Sequence, residues 1–280
     1  MSNENKIRDA ADAIKGLAEV IPVYQDGLQP AVREIGVGLQ TIAKTIHIAL
    51  APISALVWSY DNLKEFLSTR VAEKLRHVPT DRIITPEPHV VVPALQALQY
   101  TGHQENLREL YANLLATSLD AETSEQAHPA FVDMIKNMSP DEARIMRLFS
   151  VRRTFPVIDV HMFPKGQQGY VVAMRSYSWV GKEAGCDFPH LTPNYLDNLA
   201  RLGLIESPGA YAIGSPTLAA PNTYEPLEQC EEIMKFKSEV EAEGDRIEFG
   251  RSFVQLTDLG RQFCRACVIE KSSAAANGRL

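Results

Sequence analysis

The chain has 280 residues, of which 45% are hydrophobic and 22% are charged, and its formal net charge is −7. These values are ordinary for a soluble globular protein, and the length allows one large or two modest domains with a sizeable core. The acidic charge is concentrated between Glu206 and Gly250, where there are ten acidic and three basic side chains. No block of basic residues occurs in the sequence, which argues against binding to a phosphate backbone.

Residues 1–21 are predicted to form an N-terminal helix or tail, with a short helix from Asp9 to Val20. This terminus is polar and lacks the apolar core of a secretory signal. The four cysteines are spread along the chain and do not indicate a disulfide scaffold. We therefore expect a cytoplasmic protein with reduced thiols, whose residues 271–280 form a flexible tail.

The segment after Pro22 carries apolar residues at heptad-like spacing over three repeats. A membrane span is not favoured, because Lys44 and Pro52 fall within the apolar window. Three interpretations stay open: this N-terminal seam packs within its own domain, joins protein chains, or lies on the surface of the inner membrane as an amphipathic helix. Its residues are Ile35, Leu39, Ile42, Ile46, Ile53, Leu56 and Trp58.

Four prolines lie between Pro79 and Pro93, and they predict an extended, poorly helical connector. A helix is expected from Ala94 to Tyr100. Gly102 is suited to end this helix because glycine tolerates a positive φ.

The stretch from Asn106 to Leu148 predicts three helices separated by prolines. The second begins at Pro129 and the third at Pro140, because a missing N–H costs nothing in the first helical turn. Ser139 and Glu142 give the third helix a capping box. The first helix has one broad apolar face, formed by Leu107, Leu110, Tyr111, Leu114, Leu115 and Leu119.

The polar residues of this stretch are expected to serve helix ends and the solvent side. They include Glu109, Asn113, Asp120 and His128, the last of which flanks the start of the second helix. Asp141 is assigned to the start of the third helix, where a carboxylate interacts favourably with the helix dipole. The stretch is therefore interpreted as a scaffold of packed helices.

The motifs LRELYANLLATSLD and AHPAFVDMIKNMSPDEARI resemble the signature of the Abi-alpha family of bacterial abortive-infection proteins. The runs ALAPISALVWSYDNLKEFL, VVPALQALQYTGHQENLRELYANLL and, more loosely, YLDNLARLGLIE fit the same pattern. The resemblance covers the chain from about Pro22 to Cys267. It implies phage defence as the biological setting, and it supplies no catalytic residues.

After Arg153 the sequence becomes rich in β-branched and aromatic residues. FPVIDVHMF and YVVAMRSYSWV predict a β-hairpin, and a helix with Thr192 as N-cap and Pro193 at N1 follows, ended by Gly203. A short acidic helix from Pro226 to Glu243, a strand or hairpin edge IEFGRSFVQL and a closing helix TDLGRQFCRACVIEK complete the pattern. Together these elements resemble a winged helix with an acidic helix inserted into its wing.

A winged helix often binds DNA through a helix that lies in the major groove. The polar residues of the corresponding helix here are Asn194, Asp197, Asn198 and Arg201, one cation against one anion, and the wing insertion is acidic. Because phosphate contacts supply most non-specific affinity, we expect poor DNA binding. A winged helix that docks a protein or is purely structural is the favoured interpretation.

The sequence contains no recognisable catalytic or metal-binding constellation. Cys264 and Cys267 form a single C-x-x-C on an apolar helix face, so burial of two thiols explains them better than a zinc site. The seven histidines are scattered, and no phosphate-binding loop or nucleophile elbow occurs. Arg82 and His89 come closest to the Arg–His pair of a nuclease, but two prolines lie between them.

The predicted fold is mainly α with a smaller α+β part. An all-helical domain over residues 22–152 precedes a winged-helix-like domain over residues 153–270 with an acidic helical insertion. The predicted function is that of a non-enzymatic component of phage defence that acts through a protein partner or self-association, without nucleic acid, cofactor or metal. Two alternatives stay open: a membrane-perturbing effector that uses the amphipathic segment 35–58, and a nuclease or other enzyme with an unrecognised site.

Overall fold

The computed structural model of the protein describes residues 60–207 and 223–270. Over these residues the chain is mostly helical, with a small four-stranded antiparallel sheet in its C-terminal part, as predicted at this level. It forms two compact units. Unit 1 contains the described residues up to Pro140 and from Gln262 onward, and unit 2 spans Asp141–Arg261.

The N-terminal seam, from Ile35 to Trp58, lies outside the described residues, so its packing stays a prediction. Within the ranges 60–207 and 223–270, none of the helices combines the length and the apolar character that crossing a bilayer requires.

Unit 1 is built from helices. Its first helix continues through a π-helical turn, Leu67–Val71, and a second π-helical turn, Cys264–Val268, lies near the C-terminus. Short 3-10 turns occupy Thr80–Arg82 and Ser124–Gln126. The helices are α1 (Tyr60–Phe66), α2 (Ala72–Leu75), α3 (Pro88–Thr101), α4 (Glu105–Ser118) and α5 (Ala130–Lys136).

Helix α4 forms the centre of unit 1. The helix predicted from the leucine stripe is confirmed, and its burial goes beyond that stripe, because every residue from 110 to 118 is buried. Tyr111 and Leu114 have no exposed surface. A helix that is buried on all sides lies inside its unit rather than at a surface.

The polar residues of this stretch were expected at helix ends or on the solvent side, yet Asn113 and Asp120 are 5% and 1% exposed. The expectation is wrong for Asn113, which lies within α4, and incomplete for Asp120, which follows the end of that helix. The Asn113 amide donates to the carbonyl of Cys267 at 2.9 Å. The Asp120 carboxylate accepts two hydrogen bonds from the Arg82 guanidinium, at 3.0 and 2.7 Å. Both partners are distant in sequence, and a buried carboxylate is tolerated here because it is paired.

The predicted extended connector between Pro79 and Pro93 is wrong in its second half, because helix α3 begins at Pro88 and continues past Pro93. Pro88 lies in the first turn, where its missing N–H costs nothing. Pro93 lies inside the helix and cannot donate to the carbonyl four residues earlier. The helix continues because its apolar side is buried, with Val91 1% exposed and Leu98 fully buried.

Replacing Pro93 with alanine is expected to raise the free energy of unfolding by about 1–2 kcal/mol, because alanine restores a helical N–H donor. The greater conformational freedom of the unfolded chain offsets only part of this gain. Urea unfolding of the purified chain measures the change. A matched control is Gln96→Ala, at an exposed position of the same helix, which we expect to alter stability by no more than about 0.5 kcal/mol. A Pro93→Ala protein that unfolds at lower urea than the wild type would contradict this explanation.

Unit 2 combines helices with the sheet. Its first helix begins at the predicted Pro140, and the first two strands form the predicted antiparallel hairpin. The elements are α6 (Pro140–Val151), β1 (Thr154–Phe163), β2 (Val171–Tyr177), α7 (Val180–Glu183), α8 (Thr192–Arg201), β3 (Ile205–Glu206), α9 (Glu225–Glu228), α10 (Glu231–Ala242), β4 (Arg246–Leu256) and α11 (Asp258–Phe263).

The four strands lie in the order β2-β1-β4-β3, and all neighbours are antiparallel. Strands β1 and β4 pair along the whole length of β1. Because side chains alternate between the two faces of a sheet, Ile158 lies on one face, where it packs with Tyr224 and Leu227. Val157 and Asp159 lie on the other, which we call the groove face.

Helix α8 occupies the predicted position, and its start differs in detail. Thr192 lies inside the first turn rather than at the N-cap, and its hydroxyl donates to the carbonyl of Pro189 at 2.6 Å. Gly203 follows the helix with φ of 74°, so the predicted glycine stop is confirmed.

Candidate functional site

A groove in unit 2 lies between helix α8 and the groove face of the sheet. Its volume is about 340 Å³, near the lower end of the range for small-ligand pockets. Strands β1 and β4 form its floor, and α8, β3 and the end of β2 form its sides. Its polar lining includes Asp159, His161, Arg175, Ser176, Asp197 and Glu206.

Irregular backbone in β2 builds one side of the groove. The pairing of β1 with β2 shifts between Ile158 and Val160 and again between Val160 and His161, so the ladder bulges at this point. Ser176 has a positive φ of 53°, which is uncommon outside glycine. Its N–H donates to the Asp159 carboxylate at 2.7 Å. Strained backbone of this kind clusters at binding and active sites.

Asp159 and His161 lie two residues apart on the groove face of β1. Apart from the bond from Ser176, the Asp159 carboxylate has no hydrogen-bond or ion-pair partner among the described residues. The His161 ring lies against Tyr170 with 4.3 Å between centroids, and its nitrogens bond to no residue in the described ranges. The groove therefore holds hydrogen-bonding capacity that the described residues do not use.

Gly250 is opposite Asp159 on β4 and forms part of the floor. A methyl group at this position would lie 2.9 Å from Cε1 of His161 and 3.5 Å from Cβ of Asp159. Glycine inside a strand often marks a place where other groups approach the backbone closely. Here the absent side chain lets the His161 ring lie over the strand.

The net charge of the groove is negative. Arg175 and Asp197 lie 3.7 Å apart as a pair of exposed side chains, and such pairs contribute little to stability. The Arg251 guanidinium makes two hydrogen bonds to a carboxylate of α9, at 2.6 and 2.9 Å. Asp159 and Glu206 have no cationic partner among the described residues.

A buried carboxylate at the start of α6 holds α8 in place. Asp141 accepts hydrogen bonds from the backbone N–H groups of Asp187 (2.9 Å) and Phe188 (3.0 Å), from the Tyr195 hydroxyl (2.9 Å) and from Arg144. Burial alone would raise the pKa of Asp141, but these donors outweigh it and lower that pKa below its usual value. The prediction that Asp141 serves only the start of this helix was therefore incomplete.

The next carboxylate, Glu142, binds the same helix, because it accepts a hydrogen bond from the Asn198 amide at 2.7 Å. Burial and the bond to Asp141 raise the pKa of Tyr195, so its hydroxyl stays a donor at neutral pH. Tyr195 and Asn198 share one side of α8. Helical periodicity places Asp197 on another side, which lines the groove.

The four residues predicted for a winged-helix surface serve different contacts. Asp197 lines the groove, and Asn198 bonds to Glu142. The Arg201 guanidinium donates to Oδ1 of Asn198 at 2.7 and 3.0 Å, and Asn194 is exposed. Their joint role as a docking surface stays a prediction.

The predicted burial of Cys264 and Cys267 is confirmed, with 3% and 0% of their surfaces exposed. Burial raises the pKa of Cys264 to about 12 and raises that of Cys267 as well, so both thiols stay protonated at neutral pH. In the part of the chain that the structure describes, no three His, Cys, Asp or Glu side chains are grouped to hold a metal ion.

Asp159, His161, Arg175 and Gly250 were not predicted as site residues from the sequence. One signal was available: Asp159 and His161 stand at i and i+2 in an otherwise apolar strand, which places both on one face. Arg175 and Gly250 carry no such signal, because a bulge and the strand register bring them to the groove.

The geometry is that of a mostly helical protein whose α+β unit carries a polar groove. The family described as abortive infection alpha matches residues 59–267, and the chain belongs to that family, as the sequence motifs predicted. No curated protein matches the chain. A solved structure of an uncharacterized protein from the marine bacterium Alcanivorax borkumensis SK2 is similar over 48% of this chain and 89% of its own, with 22% identity and a TM-score of 0.33.

Proposed function

We propose that the chain is a non-enzymatic component of phage defence by abortive infection and acts through protein–protein interaction. Membership of the abortive infection alpha family supports the setting. The groove of unit 2 is the observation that carries the interaction, because it is a recess with polar side chains among apolar ones, and the described residues leave the Asp159 acceptors mostly unused. Of the acidic residues from Glu206 to Gly250, Glu206 lines the groove, whereas Leu227 of α9 packs on the opposite face of the sheet.

The hydrogen bonds inside the groove support binding rather than catalysis. A nucleophilic hydroxyl needs a base within about 2.6–3.2 Å. The hydroxyls of Ser207 and Ser252 instead bond to each other, with 2.9 Å between their oxygens. Asp159 accepts from a backbone N–H, and His161 bonds to no residue of the described part of the chain.

We also propose that unit 2 is winged-helix-like, with α9 and α10 as an acidic insertion. This is supported by the order of elements: α8 leads through Gly203 into β3, β3 pairs antiparallel with β4, and the acidic helices come between those strands. Arg201, the single cation of the predicted DNA-facing set, bonds to its neighbour Asn198. These features favour a protein partner over nucleic acid, and a cytoplasmic location stays a prediction.

Phage challenge of a bacterial host that expresses the chain tests this proposal. We expect fewer plaques and arrested growth of infected cells, while the purified chain leaves tRNA and plasmid DNA intact in the presence of magnesium. Unchanged plaque numbers would contradict the defence role. Cleavage of either nucleic acid would contradict the non-enzymatic part, and leakage of anionic vesicles would favour the membrane effector.

A further inference from the structure

We infer that the groove of unit 2 receives the arginine side chain of a protein partner. This inference rests on the proposed function, because it names the chemistry of the partner that the same groove would bind. Three features of the groove lead to it: its unused acceptors, its aromatic side and its size.

The unused capacity of the groove includes acceptors and negative charge. One oxygen of Asp159 takes the Ser176 N–H at 2.7 Å, and the rest of that half-buried carboxylate has no partner among the described residues. The free-energy cost of partly burying a carboxylate is offset best by a cation that also donates several N–H hydrogen bonds. Guanidinium is such a group, since it carries five donors in a fixed plane.

The aromatic side of the groove favours arginine over lysine. The His161 ring lines the groove two residues from Asp159, and the Tyr170 ring lies tilted against it with 4.3 Å between centroids. Guanidinium pairs with carboxylates through two parallel bonds and stacks on aromatic rings, whereas the lysine ammonium is a strongly hydrated point charge. The same sheet already shows such a contact, because the Arg246 guanidinium on β4 lies 4.1 Å from the centre of the Phe163 ring on β1.

The size and surroundings of the groove fit a side chain presented by a protein. A volume of about 340 Å³ accepts one long side chain with some water and is at the small end for a free ligand. Within the groove, the carboxylates of Asp159 and Glu206 have no cationic partner among the described residues and would attract a basic side chain.

Titration of the full-length chain with acetyl-Gly-Arg-Gly-amide, followed by NMR, tests the inference. We expect saturable shifts of the amide signals of Asp159, Asp197 and Gly250. The same peptide with citrulline, a neutral analogue of arginine, is expected to bind about tenfold more weakly, because it lacks the charge. The same peptide with lysine in place of arginine is a second comparison. The inference would be overturned if the citrulline or the lysine peptide bound as tightly as the arginine peptide, or if these amide signals did not shift.

Asp159→Asn is the decisive variant, because an asparagine oxygen can still accept the Ser176 N–H and so preserve the fold. We expect it to weaken binding of the arginine peptide by about fivefold or more. The control Glu239→Gln removes an exposed carboxylate of α10 that does not line the groove and should bind as the wild type does. Undiminished binding of the arginine peptide by Asp159→Asn would overturn the inference.

Phage challenge separates failure of the inference from failure of the proposed function. If the wild-type chain protects cells against phage but does not bind the arginine peptide, only the inference is overturned. If the wild-type chain gives no protection, the proposed function is overturned.

Discussion

Replacing Asp141 with alanine is expected to lower the free energy of unfolding by about 3–5 kcal/mol. The change leaves three groups without their acceptor: the buried Tyr195 hydroxyl and the N–H groups of Asp187 and Phe188. The Tyr195 hydroxyl is buried and the two N–H groups are partly buried, and a buried donor without an acceptor costs about 1–3 kcal/mol. Because the same carboxylate fixes α8, hydrogen exchange of the α8 amides should accelerate together with the loss in urea-unfolding stability.

The matched control for this variant is Asp258→Ala. Asp258 also lies in the first turn of a helix and pairs with the arginine three residues later, but its side chain is 99% exposed. We expect a change within about 0.5 kcal/mol, since exposed ion pairs contribute little. If the two variants were equally stable, burial would not be the reason for the importance of Asp141.

The same carboxylate makes stability depend on acid pH. Its folded pKa is lowered from the usual value, which is about 3.9. The stabilisation is therefore fully present above that usual value and is lost as the pH falls through the lower folded pKa. Asp141→Asn is expected to flatten the stability profile below about pH 4. Parallel profiles for the variant and the wild type, measured by urea unfolding, would contradict this assignment.

Gly260→Ala is expected to lower the free energy of unfolding by about 3 kcal/mol or more, because the new methyl group meets backbone that cannot move alone. An added Cβ would lie 1.9 Å from the carbonyl oxygen of Leu204 and 2.9 Å from its carbon. Thr257 ties the same region together, since its hydroxyl donates to the Gly203 carbonyl and accepts the Gly260 N–H. Thermal unfolding measures the loss.

Gly250→Ala serves as the control for this substitution. Its nearest new contact, at 2.9 Å, is the end of the His161 ring, which can rotate away. We expect a loss below about 1 kcal/mol. A Gly260→Ala protein that is as stable as Gly250→Ala would show that the approach of Leu204 is not the constraint.

Much of the secondary structure was predictable, because its signals are local. The leucine spacing of α4, the proline at the start of α6 and the glycine after α8 all act within one or two helical turns. Pro93 shows the limit of such signals. Local preference disfavours a helix there, yet burial of residues such as Leu98 overrides that preference.

The candidate site was less predictable, because it depends on long-range pairing. Asp159 and His161 at alternate positions of an apolar strand indicated that one face of the sheet is polar. The pattern did not indicate that helix α8 lies over that face. Arg175 reaches the groove through a bulge, and Gly250 reaches it through the register of β4 on β1. Asp141 binds residues more than forty positions away, which a helix-start pattern cannot reveal.

The most direct test of the central claim is phage challenge of cells that express the wild type, Asp159→Asn or Glu239→Gln at equal levels, with folding checked by circular dichroism. We expect the wild type and Glu239→Gln to reduce plaque numbers equally, and Asp159→Asn to lose about tenfold or more of that reduction while it stays folded. Full protection by a folded Asp159→Asn protein would contradict the claim that the chain acts through this groove.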